Sequence, residues 1–109
     1  KMKHLPILLI VLLFAQVANA QTWDGSESSD WNTPGNWSTN AVPLSTGNVT
    51  IPTATNSPVL PGNIVVNSFS MSAGSSLNFN GFGLTTNGSM DINGATLNNS
   101  NGATDISIT

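Results

Sequence analysis

Short alternating runs of apolar and polar residues dominate the chain after residue 48. Two apolar residues flank a small polar one in Val49-Thr50-Ile51, Phe69-Ser70-Met71 and Met90-Asp91-Ile92, so the pattern returns at a nearly constant interval. Alternation over three to five residues indicates a half-buried strand. Recurrence at about 20 residues indicates repeated units that stack on one another. A second, looser series with similar spacing starts at Ile64, Leu84 and Ile106.

This spacing predicts an all-β fold, specifically a parallel β-helix or solenoid that we expect to be right-handed. An antiparallel sandwich is the alternative, because turn signals every six to nine residues or so also fit hairpins. The regular spacing favours the solenoid, since a sandwich has no reason to keep it. Parallel stacking would pair Phe69 with Met90, Met71 with Ile92, and Leu77 with Leu97.

The alternation also predicts which side chains face the core. Their polar neighbours, such as Thr50, Ser70, Asn78, Asp91 and Ser107, are expected to face water. The predicted inward residues are Val49, Ile51, Ile64, Val66, Phe69, Met71, Leu77, Phe79, Leu84, Met90, Ile92, Leu97, Ile106 and Ile108.

Residues 1–20 have the order of a secretory signal peptide. Lys1 and Lys3 precede an apolar run over 5–17, and Ala18 and Ala20 supply the small residues that a signal peptidase reads. An apolar run this short spans only about 20 Å as a helix, less than the roughly 30 Å of a bilayer core. We therefore predict cleavage after Ala20, a secreted or outer-surface location, and no membrane span in the mature chain.

Composition after the predicted cleavage site excludes several classes of function. Residues 21–109 contain no Lys, Arg, His or Cys, and their five acidic residues give a formal charge of −5. Nucleic acid is not an expected partner, because phosphate binding requires Lys or Arg. Without His or Cys, no catalytic triad or thiolate nucleophile can form. Asp91 and Asp105 are separated by less than one repeat interval, so their carboxylates would not stack in one column as a catalytic pair. No enzymatic activity is therefore expected.

All three tryptophans of the chain lie between residues 23 and 37. Thr33-Pro-Gly-Asn36 is a strong turn signal within this segment. Large aromatic side chains bury much apolar area, so Trp23, Trp31 and Trp37 are interpreted as a cap that closes the N-terminal end of the repeats. The alternative is that these three residues form a ligand-binding platform on which sugar rings stack.

An acidic cluster lies in the same segment. Asp24, Glu27 and Asp30 occur in a serine-rich loop, and Ca²⁺ prefers several oxygen ligands from such loops. The calcium-loop pattern of an EF-hand is absent, so the alternative is a solvated acidic loop. No other cofactor is expected.

These observations divide the chain into three parts. Residues 1–20 are the predicted signal peptide, 21–48 the Trp-rich cap, and 49–109 the β-helix coils. The chain reaches residue 109 in mid-strand, and an open edge there is an aggregation hazard. We therefore expect the coils to be truncated at the C-terminus, in the first part of a longer protein.

The chain contains three motifs, which are Trp23-Asp-Gly25, the stretch 30–37 that ends in Asn36-Trp37, and Ala41-Val-Pro43 leading to Val49-Thr-Ile-Pro52. Together they resemble the N-terminal region of large secreted β-helix proteins of Bacteroidetes-type bacteria. The resemblance implies an adhesin-like surface or released protein exported by a type IX secretion pathway, and it supplies no catalytic residues.

The expected function is a secreted or cell-surface structural or adhesive β-solenoid module that contacts extracellular glycans or other surface components. The alternative is the non-catalytic front module of a secreted carbohydrate-active enzyme.

Overall fold

The described part of the protein consists of short strands joined by turns and irregular connections. The computed structural model describes residues 20–101 and 105–108. The elements follow in the order β1 (Ala20–Thr22), a 3-10 helix (Pro34–Asn36), β2 (Asn48–Ile51), β3 (Ile64–Val66), β4 (Ser68–Met71), β5 (Ser76–Asn78), β6 (Gly83–Thr86), β7 (Met90–Asp91), β8 (Thr96–Asn98) and β9 (Asp105–Ile108).

The predicted signal peptide falls almost wholly outside this description. Of its two cleavage-site residues, Ala18 is not described, whereas Ala20 is exposed and begins β1. Within the described residues, no helix has the length and apolar character needed to cross a membrane. Cleavage after Ala20 stays a prediction.

The strands pair in parallel and form three sheets. The strand order is β1-β2-β4-β7 in the largest sheet, β3-β6-β9 in the second and β5-β8 in the third. Isolated parallel bridges from Val59 to Asp30 and to Asn78 connect the Trp-rich segment to the third sheet. Successive partners in the repeated part keep the interval seen in the sequence, as Asn48 and Ser68 do.

The prediction of a parallel β-helix or solenoid is wrong. The described strands form three separate small sheets of four, three and two strands, and they do not build a solenoid. Regular spacing determines which strands can pair, but it does not make the connecting segments regular as well. The long connection 23–47 between β1 and β2 has the short helix as its only named element. The antiparallel sandwich is excluded too, because all the named strand pairs are parallel.

Two of the three predicted residue pairs are confirmed. Phe69 pairs with Met90, and Leu77 pairs with Leu97. The pair of Met71 with Ile92 is not part of the ladder, because β7 ends at Asp91.

Most predicted inward residues do belong to the core, which also contains the three tryptophans. Leu97 is the exception, because 37% of its surface is exposed. Ile64, Met90 and Ile92 are only partly buried. The side chains of Ile106 and Ile108 lie outside the description.

Leu60 is a buried core residue that the alternation did not identify. It lies in a proline-rich stretch with no strand pattern. Its N–H donates to the Asn78 carbonyl (2.9 Å), and the Asn78 N–H donates to the Pro58 carbonyl (3.0 Å). Long-range backbone pairing therefore positions Leu60, and no local sequence signal reports it.

Candidate functional site

The three tryptophans pack together in one buried cluster. Trp37 lies between the other two, with ring centroids 5.1 Å from Trp23 and 4.8 Å from Trp31, and both contacts are edge-to-face. The three residues are 0–1% exposed. Such pairs contribute about 0.5–1.5 kcal/mol beyond their area burial.

The 3-10 helix Pro34–Asn36 brings two of these tryptophans together. Proline at its start has the backbone angle that the turn requires. The turn reverses the chain, so that the Trp37 indole N–H donates to the Trp31 carbonyl at 2.8 Å. An antiparallel bridge then aligns Trp37 with Trp23. The turn predicted over Thr33–Asn36 is therefore confirmed, and it assembles the cluster.

The indole N–H of Trp23 is also used inside the protein. It donates to the Asn56 carbonyl at 2.7 Å, and the Asn56 amide donates in return to the Gly25 carbonyl at 2.8 Å. Trp23 and Trp37 are buried and their indole N–H groups have internal partners, so these two residues offer neither a ring face nor a donor to a ligand. The geometry fits the cap interpretation, and a ligand platform on these residues would require the cluster to open.

Asn36 holds the loop that surrounds the cluster. Its side chain is fully buried. The amide oxygen accepts from the N–H groups of Glu27 (2.9 Å) and Ser28 (3.0 Å). The amide nitrogen donates to the Ser28 hydroxyl and to the Asp30 carbonyl, both at 3.0 Å. One side chain thus satisfies four groups of the 27–30 loop, a role that sequence reasoning missed because Asn36 reads as an ordinary turn residue.

The predicted calcium ligands do not converge. One carboxylate oxygen of Asp24 accepts from the Ser26 N–H, and one of Asp30 accepts from the Asn32 N–H, both at 2.9 Å. These are local turns of the kind that Asp forms with the backbone two residues later. Over the described residues, no group of three His, Cys, Asp or Glu side chains could hold a metal ion. Calcium binding by Asp24, Glu27 and Asp30 stays a prediction.

A continuous row of small polar side chains covers the outer side of the four-stranded sheet. The register aligns Thr22 with Thr50, Thr50 with Ser70, and Ser70 with Asp91. Their neighbours along β1, β2 and β4 point inward and are buried. We name this surface the hydroxyl face and define it as Thr22, Asn48, Thr50, Ser68, Ser70 and Asp91.

The groups of the hydroxyl face hydrogen-bond to one another across the strands. The Ser68 hydroxyl donates to the Asn48 amide oxygen (2.9 Å), and the Ser70 hydroxyl donates to the Thr50 hydroxyl (3.4 Å). Strands in a sheet lie about 4.8 Å apart, so the face repeats hydroxyl or amide groups at that interval. The sequence predicted that Thr50, Ser70 and Asp91 face water. It did not predict that Thr22 extends the row.

A family profile matches residues 22–108 and describes a domain of unknown function, DUF8693. The chain belongs to this family. No curated protein and no solved structure matches the chain. The DUF8693 match starts close to the predicted cleavage site and includes the tryptophan cluster and the whole hydroxyl face. Because the DUF8693 description carries no function, the resemblance to proteins exported by type IX secretion rests on the sequence motifs alone.

The backbone beside the tryptophan cluster requires a glycine at position 25. Its φ angle of +57° is one that L side chains rarely adopt. An added Cβ would overlap the Asn56 carbonyl oxygen and lie 2.6 Å from the Trp23 indole nitrogen, the two atoms of the hydrogen bond described above. We expect Gly25→Ala to lower the free energy of unfolding by about 1–3 kcal/mol, measured by urea unfolding.

Gly62→Ala is the matched control for this prediction. No atom lies within 4 Å of the position of its added Cβ. Its free energy of unfolding should stay within about 0.5 kcal/mol of the parent value. Equal stability of the two variants would contradict the proposed role of Gly25.

Proposed function

We propose that this chain is a structural and adhesive module outside the cell, which binds neutral glycans on the hydroxyl face. The observation that carries the proposal is the register of that face. Parallel pairing places hydroxyl and amide groups in line across β1, β2 and β4, with the Asp91 carboxylate following on β7, next to a closed and buried tryptophan cluster. Secretion follows from the predicted signal peptide, and export by a type IX pathway belongs to the same proposal.

The chemistry of the hydroxyl face favours a neutral partner. Its only ionisable member is Asp91, and residues 21–109 contain no Lys, Arg or His. Sulfated or phosphorylated polymers would therefore meet no cation. Hydroxyl and amide groups both donate and accept hydrogen bonds, which matches the hydroxyl groups of an uncharged sugar.

The weakness of single contacts favours a polymer over a single sugar. One exposed hydrogen bond contributes only about 0.5–1.5 kcal/mol after the exchange with water. The tryptophans are buried, so stacking on their rings does not add to this. A chain of repeated sugars that crosses several strands can form many such bonds at once, which raises the overall affinity.

The test measures binding of the purified chain to a panel of neutral polysaccharides by affinity electrophoresis. The informative variant combines Thr50→Val with Ser70→Ala, because it removes two hydroxyl groups from the centre of the face while keeping similar shape. Loss of two hydrogen bonds should weaken binding by about tenfold or more.

Thr85→Val serves as the control. Thr85 lies on β6 in the second sheet, where its partner on β3 is already the exposed Val65. We expect this variant to bind like the parent chain. The proposal fails if no neutral polysaccharide binds, or if the two variants are affected equally.

A further inference from the structure

A glutamine stands at the head of an otherwise apolar column of the largest sheet. The parallel register places Gln21 of β1 beside Val49, and Val49 beside Phe69. Gln21 is only 8% exposed, whereas Ala20, directly before it, is exposed. A buried amide is tolerated only where its polar atoms find hydrogen-bond partners, so the surrounding chain must supply them.

The turn that follows Trp37 supplies these partners. The Gln21 amide nitrogen donates to the Thr39 hydroxyl at 3.0 Å and to the Ala41 carbonyl at 2.6 Å. Asn40, between the two acceptors, has a φ angle of +55°, a left-handed conformation that Asn tolerates better than most residues. Its N–H donates to the Trp37 carbonyl at 2.9 Å. The turn therefore brings two acceptors onto one amide nitrogen and anchors the Gln21 side chain in the cap.

The predicted cleavage after Ala20 gives Gln21 a second property, because it becomes the first residue of the processed chain. An N-terminal glutamine can cyclise to pyroglutamate. The uncharged α-amine attacks the carbonyl carbon of the side-chain amide, a new C–N bond closes a lactam ring, and the side-chain nitrogen leaves as ammonia. The reaction consumes no oxidant, reductant or other co-reactant.

We propose that Gln21 is the N-terminal residue of the processed chain and a modification site that folding controls. The unfolded chain cyclises, and the folded chain keeps its glutamine. The lactam uses up the amide nitrogen that donates to Thr39 and Ala41, so the anchored and the cyclised forms exclude each other. This inference rests on the signal-peptide cleavage contained in the proposed function, and it is independent of glycan binding.

Cyclisation would change both the charge and the cap of the processed chain. Residues 21–109 contain no Lys, Arg or His, so the free α-amine is the single cationic group that they can carry. Closing the ring removes that charge and leaves the Thr39 hydroxyl and the Ala41 carbonyl without the amide that now joins them. Folding soon after export therefore preserves both the charge and the anchor.

The test expresses the full chain with its own signal peptide in a secreting bacterial host. The intact mass and Edman sequencing of the exported protein should show a product that begins at Gln21 and keeps its amide. This product is then incubated with and without guanidinium chloride. We expect the unfolded sample to lose the mass of one ammonia, and its reactivity in Edman sequencing, at least about tenfold faster than the folded sample. Edman sequencing is needed because succinimide formation at an Asn-Gly pair also releases ammonia.

Thr39→Val tests the anchor directly, because it removes one acceptor of the Gln21 amide and keeps a similar shape. We expect the folded variant to cyclise several-fold faster than the folded parent, and both to cyclise equally in guanidinium chloride. Thr46→Val is the matched control, since Thr46 is exposed on the same connection between β1 and β2. It should behave like the parent in both conditions. Circular dichroism checks that the two variants fold.

Several results would overturn the proposal. They are an exported product that begins at another residue, a folded parent that cyclises as fast as the unfolded one, or a folded Thr39→Val no faster than Thr46→Val. A chain that keeps its signal peptide would also overturn it, and would count against the secretion contained in the proposed function. The cyclisation rates do not bear on polysaccharide binding, so the two proposals can fail separately.

Discussion

Replacing Trp37 by alanine is expected to lower the free energy of unfolding by about 3–5 kcal/mol. Trp37 is buried, contacts both other tryptophans, and donates its indole N–H to the Trp31 carbonyl. The substitution would leave a cavity next to two large rings and a carbonyl without its donor. Small domains have only about 5–15 kcal/mol of stability in total, so the variant should be near the limit of folding.

Thermal unfolding followed by circular dichroism measures this effect. For a small domain, each kcal/mol shifts the midpoint by about 4–8 °C, so a fall of more than about 12 °C is expected. Leu44→Ala is the control, because Leu44 is 69% exposed and its loss should leave the midpoint nearly unchanged. A Trp37→Ala protein as stable as the control would contradict a structural role for the cluster.

The same variant bears on the ligand-platform alternative for Trp23, Trp31 and Trp37. If the tryptophans only close the N-terminal end, Trp37→Ala should lose stability, and any glycan binding should fall only with the folded fraction. A folded Trp37→Ala protein that no longer binds glycans would instead show that the cluster opens to bind them.

Asn36→Ala is expected to lower the free energy of unfolding by about 2–4 kcal/mol. The substitution removes the acceptor for two N–H groups and one of the two donors to the Asp30 carbonyl, which keeps the Thr33 N–H. Leaving a buried donor or acceptor unpaired costs about 1–3 kcal/mol, and water can replace part of what is lost at the partly exposed Ser28. Urea unfolding at constant pH measures the change.

Asn32→Ala is the matched control for this variant, because Asn32 lies in the same segment with an exposed side chain. It should change the free energy of unfolding by no more than about 0.5 kcal/mol. Comparable losses in the two variants would mean that the loop tolerates the absence of the buried amide. A selective loss in Asn36→Ala would show that one amide holds the loop around the tryptophans.

The sequence was informative where local alternation and repeat spacing act together. The repeat interval brings equivalent apolar positions side by side, so the pairs of Phe69 with Met90 and Leu77 with Leu97 followed from the spacing alone. The outward position of Thr50 and Ser70 followed from the alternation of side chains along a strand.

Predictions from the sequence were wrong where the arrangement of sheets or the burial of a side chain depends on segments that do not repeat. Spacing suggested a solenoid, but the connections between strands decide how sheets are arranged, and the described strands lie in three separate small sheets. Leu97 has the apolar character of a core residue, yet much of its side chain remains exposed. Whether an apolar side chain is buried depends on which residues pack over it, and not on its residue type alone.

The sequence by itself determined that the protein is built of β-strands, that its strands pair at the repeat interval, and that its outer surface is polar and almost free of cations. These features follow from residue type and period, which act over a few positions. Only the tertiary structure decided that the tryptophans are buried, that Asn36 organises the loop, and that Leu60 belongs to the core. Each of these depends on contacts between segments that the local pattern does not link, such as the pairing of Leu60 with Asn78.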